Sequence, residues 1–152
     1  MLTVLDNAEV YSPAPLGLRC LVLGGGKILA VLNAGADLPV ERLGMEGVEI
    51  QRFDLGGKRL VPGFIDAHTH VTGGGGEDGA ATKVPAPLLT DFTKAGVTSV
   101  VGLLGTDDVT RSTAELLAGV RALRELGLSA WCWTGGYHLP PTTLTGTVRS
   151  DI

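Results

Sequence analysis

The chain has 152 residues, 44% of them hydrophobic, and a formal charge of −4, enough for about one ordinary domain with a packed core. An acidic balance offers no cationic surface for a polyanion, which excludes nucleic acid as the expected partner. Cys20 and Cys132 lie far apart, each in an apolar stretch; they make no disulfide framework and read as buried thiols of a reduced, cytoplasmic protein. The N-terminus MLTVLDNAEV has acids where a signal peptide needs positive charge. No apolar run approaches the ~18 residues of a spanning helix, so no membrane partner is expected.

Residues 1–60 read as a β-rich segment, because short runs of Val, Leu and Ile alternate with turn signals. The stretch LRCLVLGGGKILAVL is two such runs joined by Gly24, Gly25 and Gly26, which predicts a hairpin. The same glycines could suggest a phosphate loop. Lys27, however, is followed by Ile28 and a strand, not by Ser or Thr opening a helix, so that requirement fails. VEIQRFDLGGKRLV predicts a second hairpin turning at Gly56 and Gly57. The 23 glycines punctuate apolar runs as turns do and form no low-complexity tract.

Over residues 61–152 the rhythm becomes strand, helix, strand, helix, strand. GFIDAHTHV is the first predicted strand. APLLTDFTKAG predicts a helix, with Pro87 at a first helical position, Leu88, Leu89, Phe92 and Ala95 on one face, and Gly96 closing it. VTSVVGLLG is continuously apolar, as parallel strands buried on both faces are. Ser112 and Glu115 then form a capping box, opening a helix with an apolar stripe of Leu116, Leu117, Val120, Leu123 and Leu126, closed by Gly127. SAWCWTGGY is the third predicted strand. Alternation of this kind means βαβ units and a parallel sheet. The rhythm alone fits either a small open sheet or the start of an eight-stranded barrel.

The chemistry concentrates in VPGFIDAHTHVTGGGGEDG, residues 61–79. Residues two apart on a strand share a face, which would put Asp66, His68 and His70 side by side. Two neutral imidazoles there suit a divalent metal as nitrogen ligands; the alternative is a pair of satisfied structural histidines, each needing a polar partner. Asp66 is either an orienter of a ligand or a strand-end acid. Glu77 and Asp78 in a glycine loop, Thr106, Tyr137 and His138 have ordinary structural readings of their own, and Asp107 and Asp108 most simply favour a turn or a helix start.

LVPGFIDAHTHV resembles the first-strand signature of the amidohydrolase superfamily. GGGGEDG, AGVTSVVGLLGTD, RALRELGLSAW and TGGYHLPPTTLTG together resemble its isoaspartyl (β-aspartyl) dipeptidase family, from about residue 55 onward. The resemblance implies an α/β fold: an N-terminal β-sandwich segment followed by the first three strands of a metal-dependent (β/α)8 TIM barrel. It implies that His68 and His70 are zinc ligands, in a centre of two ions. Gly75, Gly76 and Glu77 would form the loop at the mouth of the first strand, with the Glu77 carboxylate on the free α-amino group of the substrate. Thr106 would contact the substrate, and the Tyr137 hydroxyl would polarise the scissile carbonyl or steady the oxyanion. The implied activity is zinc-dependent hydrolysis of isoaspartyl dipeptides by a metal-bound hydroxide, in a cytoplasmic homo-oligomer.

A hydrolytic zinc site needs about three or more protein ligands, and two good ones are present. The resemblance places the others, with the general base and the carboxylate-binding arginines, beyond Ile152, so the rest of its own chain is the first expected partner and a small dipeptide the second. Two rival readings follow: another amidohydrolase, either a cyclic amidase of dihydroorotase type or an N-acyl deacetylase, or a catalytically silent portion that acts only with its complement.

Overall fold

The structure is a computed structural model that describes residues 1–36 and 47–152; residues 37–46 of the expected β-rich segment lie outside the described residues. The chain divides into two compact units, Met1–Pro62 and Gly63–Ile152.

The first unit is a sheet of β1 (Leu2–Tyr11), β2 (Pro15–Gly24), β3 (Lys27–Asn33), β4 (Ile50–Asp54) and β5 (Arg59–Leu60), in the order β3-β2-β1-β4 with β5 also on β1. The expected hairpin at Gly24–Gly26 is present: β2 and β3 pair antiparallel down to Gly24↔Lys27. Gly25 and Gly26 take φ of 57° and 72°, the doubly left-handed geometry that two-residue hairpin turns demand. The second expected hairpin is not formed. β4 and β5 do not pair with each other; both run parallel to β1, through Leu2↔Ile50 and Glu9↔Arg59. The Gly56–Gly57 turn (φ 56° and 79°) is held against β1 by Leu55 N–H to Asp6 O (2.9 Å) and Gly57 N–H to Asn7 O (2.8 Å). Once those donors are used on β1, the turn is an outward loop in one edge rather than a reversal. Ala8, Val10 and Leu21 make the buried cluster of this unit, with Leu5, Leu23, Leu55 and Leu60 packed against it. Cys20 is fully buried, and burial above all, with Asp6 beside it, pushes its thiol up to about 11, an inert group as expected.

The second unit holds β6 (Phe64–Thr69), α1 (Leu89–Lys94), β7 (Val97–Gly102), α2 (Thr113–Glu125), β8 (Ser129–Cys132) and a terminal turn of helix, α3 (Val148–Asp151). The three strands form a parallel sheet in the order β6-β7-β8. Gly63 ahead of β6 is required by close approach, since a Cβ there would collide with the Thr98 side chain. Val100, Leu116 and Val120 are at most 1% exposed and anchor the core, joined by Val71, Phe92, Leu104, Leu123, Leu128 and Ala130. α2 begins where the sequence indicates, with Ser112 Oγ accepting the Glu115 N–H at 3.1 Å. Gly127 takes φ 97° just past its end.

Three expectations shift. α1 starts at Leu89, not at Pro87: the cap is Leu88, whose N–H is taken by Asp91 Oδ2 at 2.8 Å, so Pro87 lies outside the helix. Leu126 is 60% exposed. It sits ten residues from Leu116, about 80° away around a helix of ~100° per residue, and Leu128 fills the core instead. β8 stops at Cys132, so Tyr137 lies five residues beyond the third strand and does not end it.

Candidate active site

Three segments converge on the C-terminal ends of the parallel strands, where strand-end loops of such sheets carry their chemistry. His70 directly follows β6, and its ring lies 5.3 Å from that of His68, edge to face. The pair is therefore adjacent. Strict alternation does not extend back to Asp66, because β6 carries one extra residue between the pairings Asp66↔Val100 and Thr69↔Gly102. Asp66 Oδ1 accepts the His68 main-chain N–H at 3.0 Å, which shapes this bulge. The His70 ring is wedged between glycines, since a Cβ at Gly74 or at Gly105 would stand 3.3 Å from it. Its Nδ1 is buried with no hydrogen-bond partner.

An orphaned imidazole nitrogen beside a second imidazole is a donor set that fits a divalent cation. Among the described residues no group of three or more His, Cys, Asp or Glu side chains could hold a metal ion. The histidine pair could supply two ligands, and among the described residues no third side chain of these types stands with them.

The loop after β6 runs outward and returns through one bridge, Gly74↔Val84, with Val84 N–H donating to Gly74 O at 3.0 Å. Gly75 (φ 70°) owes its identity to this loop, because a Cβ there would strike the Thr82 carbonyl. Gly76, Glu77, Ala80, Lys83, Thr106, Asp107 and Thr110 line one open groove. The structure therefore brings Gly76, Glu77 and Thr106 together, and Thr106 Oγ1 donates to Glu77 Oε1 at 3.0 Å. The Glu77 carboxyl is held below the usual carboxylate range, by its own backbone N–H first, then by the Thr106 hydroxyl, with His70 contributing least. It is an exposed anion ready for a cation.

Tyr137 is 70% exposed on the segment after β8. That segment is tied to the loop after β7 by Asp108. The Asp108 side chain is 1% exposed; Oδ2 accepts the His138 N–H at 3.2 Å and Oδ1 pairs with His138 Nδ1. Gly136 packs so tightly on that carboxylate that a Cβ would overlap it. Burial alone would raise the Asp108 carboxyl, but the His138 main chain and ring, with the Tyr137 N–H, bring it below its ordinary value. Asp108 and His138, read from sequence as turn former and structural residue, are thus one connection. Asp107 is likewise more than a turn former: Lys83 Nζ lies 2.5 Å from Oδ2 and Thr110 donates its N–H to Oδ1 at 2.9 Å. Sequence reasoning had no access to Lys83 in this site, because an isolated cation in a polar loop looks like a solvated one.

Among the described residues no helix is long and apolar enough to cross a membrane. No family model matches the chain. It is similar to solved structures of β-aspartyl dipeptidase from Fervidobacterium islandicum AW-1. One has TM-score 0.89 and 37% identity, covering 99% of this chain and 39% of that one. Another, in complex with a β-Asp-Leu dipeptide, has TM-score 0.87 and 38% identity, covering 99% and 38%. Imidazolonepropionase of Colwellia psychrerythraea is 32% identical over 144 residues, 90% of this chain and 32% of the relative. The chain thus spans about a third of the length of that curated relative. In strand-end motif, mixed α/β fold and sequence, the chain resembles the amidohydrolase superfamily, with a likeness to β-aspartyl dipeptidase.

Proposed function

We propose that the protein hydrolyses isoaspartyl dipeptides with the help of zinc, and that its 152 residues comprise a β-sandwich segment and the first three strands of a (β/α)8 barrel. The observation that carries this reading is the pairing of Glu77 with Thr106 beside the orphaned nitrogen of His70, in a chain 38% identical to a structure solved with β-Asp-Leu.

His68 and His70 are the residues that would hold the metal. When bound, zinc supplies a Lewis acid for the amide carbonyl and lowers the pKa of water at the site. The remaining steps fall to the chain's own groups. Glu77, anionic because its own N–H and Thr106 stabilise the charge, receives the substrate ammonium in a charge-assisted hydrogen bond. Thr106 keeps that carboxylate aimed. Gly75 and Gly76 let the loop turn tightly enough to present it. The Tyr137 phenol, exposed on the segment that Asp108 pins, donates to the carbonyl oxygen as negative charge develops there. A substrate with a free amino terminus satisfies Glu77; a blocked one leaves it unpaired.

Glu77→Gln in the whole protein tests the assignment. The expected loss in kcat/KM on β-Asp-Leu is on the order of tenfold or more, as for a lost charged contact, with little loss on its N-acetylated analogue. Equal losses on both substrates remove Glu77 from amino-group recognition. The likeness to imidazolonepropionase supports a second reading, a cyclic-amide hydrolase of the same superfamily. A panel of isoaspartyl dipeptides against cyclic amides separates the two.

A further inference from the structure

Glu77 sits on a loop with little means of holding its own shape. Residues 71–85 include Gly73, Gly75, Gly76 and Gly79 at positive φ, one isolated bridge and a short 3-10 turn at Ala80–Thr82. Glycines at such a density leave many conformations open to an unrestrained chain. Yet the Glu77 carboxylate has to meet Thr106 on a different strand end.

Arg111 supplies the restraint. Its side chain is 10% exposed and comes from the loop after β7, one residue ahead of the Ser112 cap of α2. Nε donates to Thr72 O at 3.2 Å on the outgoing limb of the loop, and Nη2 to Val84 O at 3.3 Å on the returning limb. One planar guanidinium therefore bridges the two limbs at the neck. The fit is close: a Cβ at Gly73 would stand 2.9 Å from Nη2 and would collide with Val84 O. The third nitrogen, Nη1, is buried without a hydrogen-bond partner, 3.9 Å from Asp107 Oδ2, the carboxylate that also binds Lys83, the residue before Val84 on the returning limb. Two of the three Arg111 nitrogens are spent on backbone carbonyls, and the groove lined by Glu77 does not include the head group.

Resting on the reading of Glu77 as the amino-group receptor, we propose that Arg111 is a positioning residue for substrate specificity, closing the neck of the 71–85 loop so that Glu77 is held at Thr106. A lysine cannot replace it, because an ammonium is a point charge and not a fork that spans two carbonyls.

The test uses the whole protein, β-Asp-Leu and its N-acetylated analogue, with Arg111→Lys, Glu77→Gln and the double variant. Arg111→Lys is expected to raise KM for β-Asp-Leu on the order of tenfold with a smaller change in kcat, to leave the blocked analogue within about twofold, and to add nothing in the Glu77→Gln background, the non-additivity expected of coupled residues. Gly73→Ala, which crowds the same neck from the loop side, is expected to reproduce the pattern. Hydrogen exchange should quicken at residues 73–84 in Arg111→Lys while the amides of α2 stay protected, separating a loosened loop from a failed fold. If Glu77→Gln erases discrimination between the two dipeptides but Arg111→Lys keeps it, or Arg111→Lys slows both dipeptides equally, the positioning role is overturned and the Glu77 reading stands. If Glu77→Gln itself keeps discrimination, both fall together.

Discussion

Asp107 and Asp108 are chemically identical neighbours at the end of the second parallel strand, and their surroundings give them different work. Asp108 turns inward and pins the segment that carries Tyr137, through the main chain and ring of His138. Asp107 faces the groove, where the Lys83 ammonium first, then the Thr110 hydroxyl and N–H, hold its carboxyl well below the usual carboxylate range. A carboxyl whose pKa is lower folded than unfolded stabilises the fold fully above the unfolded value of about 3.9, and loses that contribution as pH falls toward the folded value. The urea midpoint should therefore drop between pH 6 and pH 3, and Asp107→Asn should flatten that drop while lowering the midpoint at pH 6. Parallel pH dependences for the two proteins would show that Asp107 carries none of it. The two aspartates are plain in the sequence as a pair of acids after a strand; their partners, 24 residues back at Lys83 and 30 ahead at His138, are not.

Among the elements, α2 shows how far periodicity reaches. Leu116, Val120 and Leu123 are buried as their spacing indicates, whereas Leu126 at the C-cap is 60% exposed. Leu116→Ala should cost about 2–5 kcal/mol of unfolding free energy, the range for emptying a filled core position. Leu126→Ala should cost less than about 0.5 kcal/mol, as at an ordinary surface site. Comparable losses in denaturant melts of the two variants would contradict the packing described for this helix. The Gly-Gly turns teach a related lesson. Gly25–Gly26 and Gly56–Gly57 have nearly the same backbone geometry, yet the first joins antiparallel neighbours and the second does not. A turn signal reports that the chain bends there. Which strand then accepts its hydrogen bonds depends on β1, about 50 residues earlier in the chain, and no local window contains that information.

At the scale of the molecule, the parallel strands of the second unit collect His68, His70, Glu77 and Thr106 at one end. The histidine pair is the part with the sharpest external test. In the whole protein, His68→Ala and His70→Ala should each lower zinc retained after dialysis, read by atomic absorption, and the double variant should retain least. Full zinc in the double variant would remove both residues from the metal site, whatever happened to turnover. Gly105→Ala gives a gentler version, because the added methyl would press on the His70 ring.

The strand–helix rhythm, the hairpin at Gly25–Gly26, the Ser112 cap and the adjacency of two imidazoles all follow from contacts only a few residues apart along the chain. Period, cap chemistry and backbone sterics are local properties, and the sequence by itself determined them. The Asp108–His138 tie, the parallel placement of β4 and β5, the break in alternation at Asp66 and the Arg111 clasp join residues from separate elements or depend on strand register. Tertiary structure decided those, because a buried carboxylate or guanidinium acquires its role from whichever distant carbonyl or N–H the fold leaves unpaired beside it.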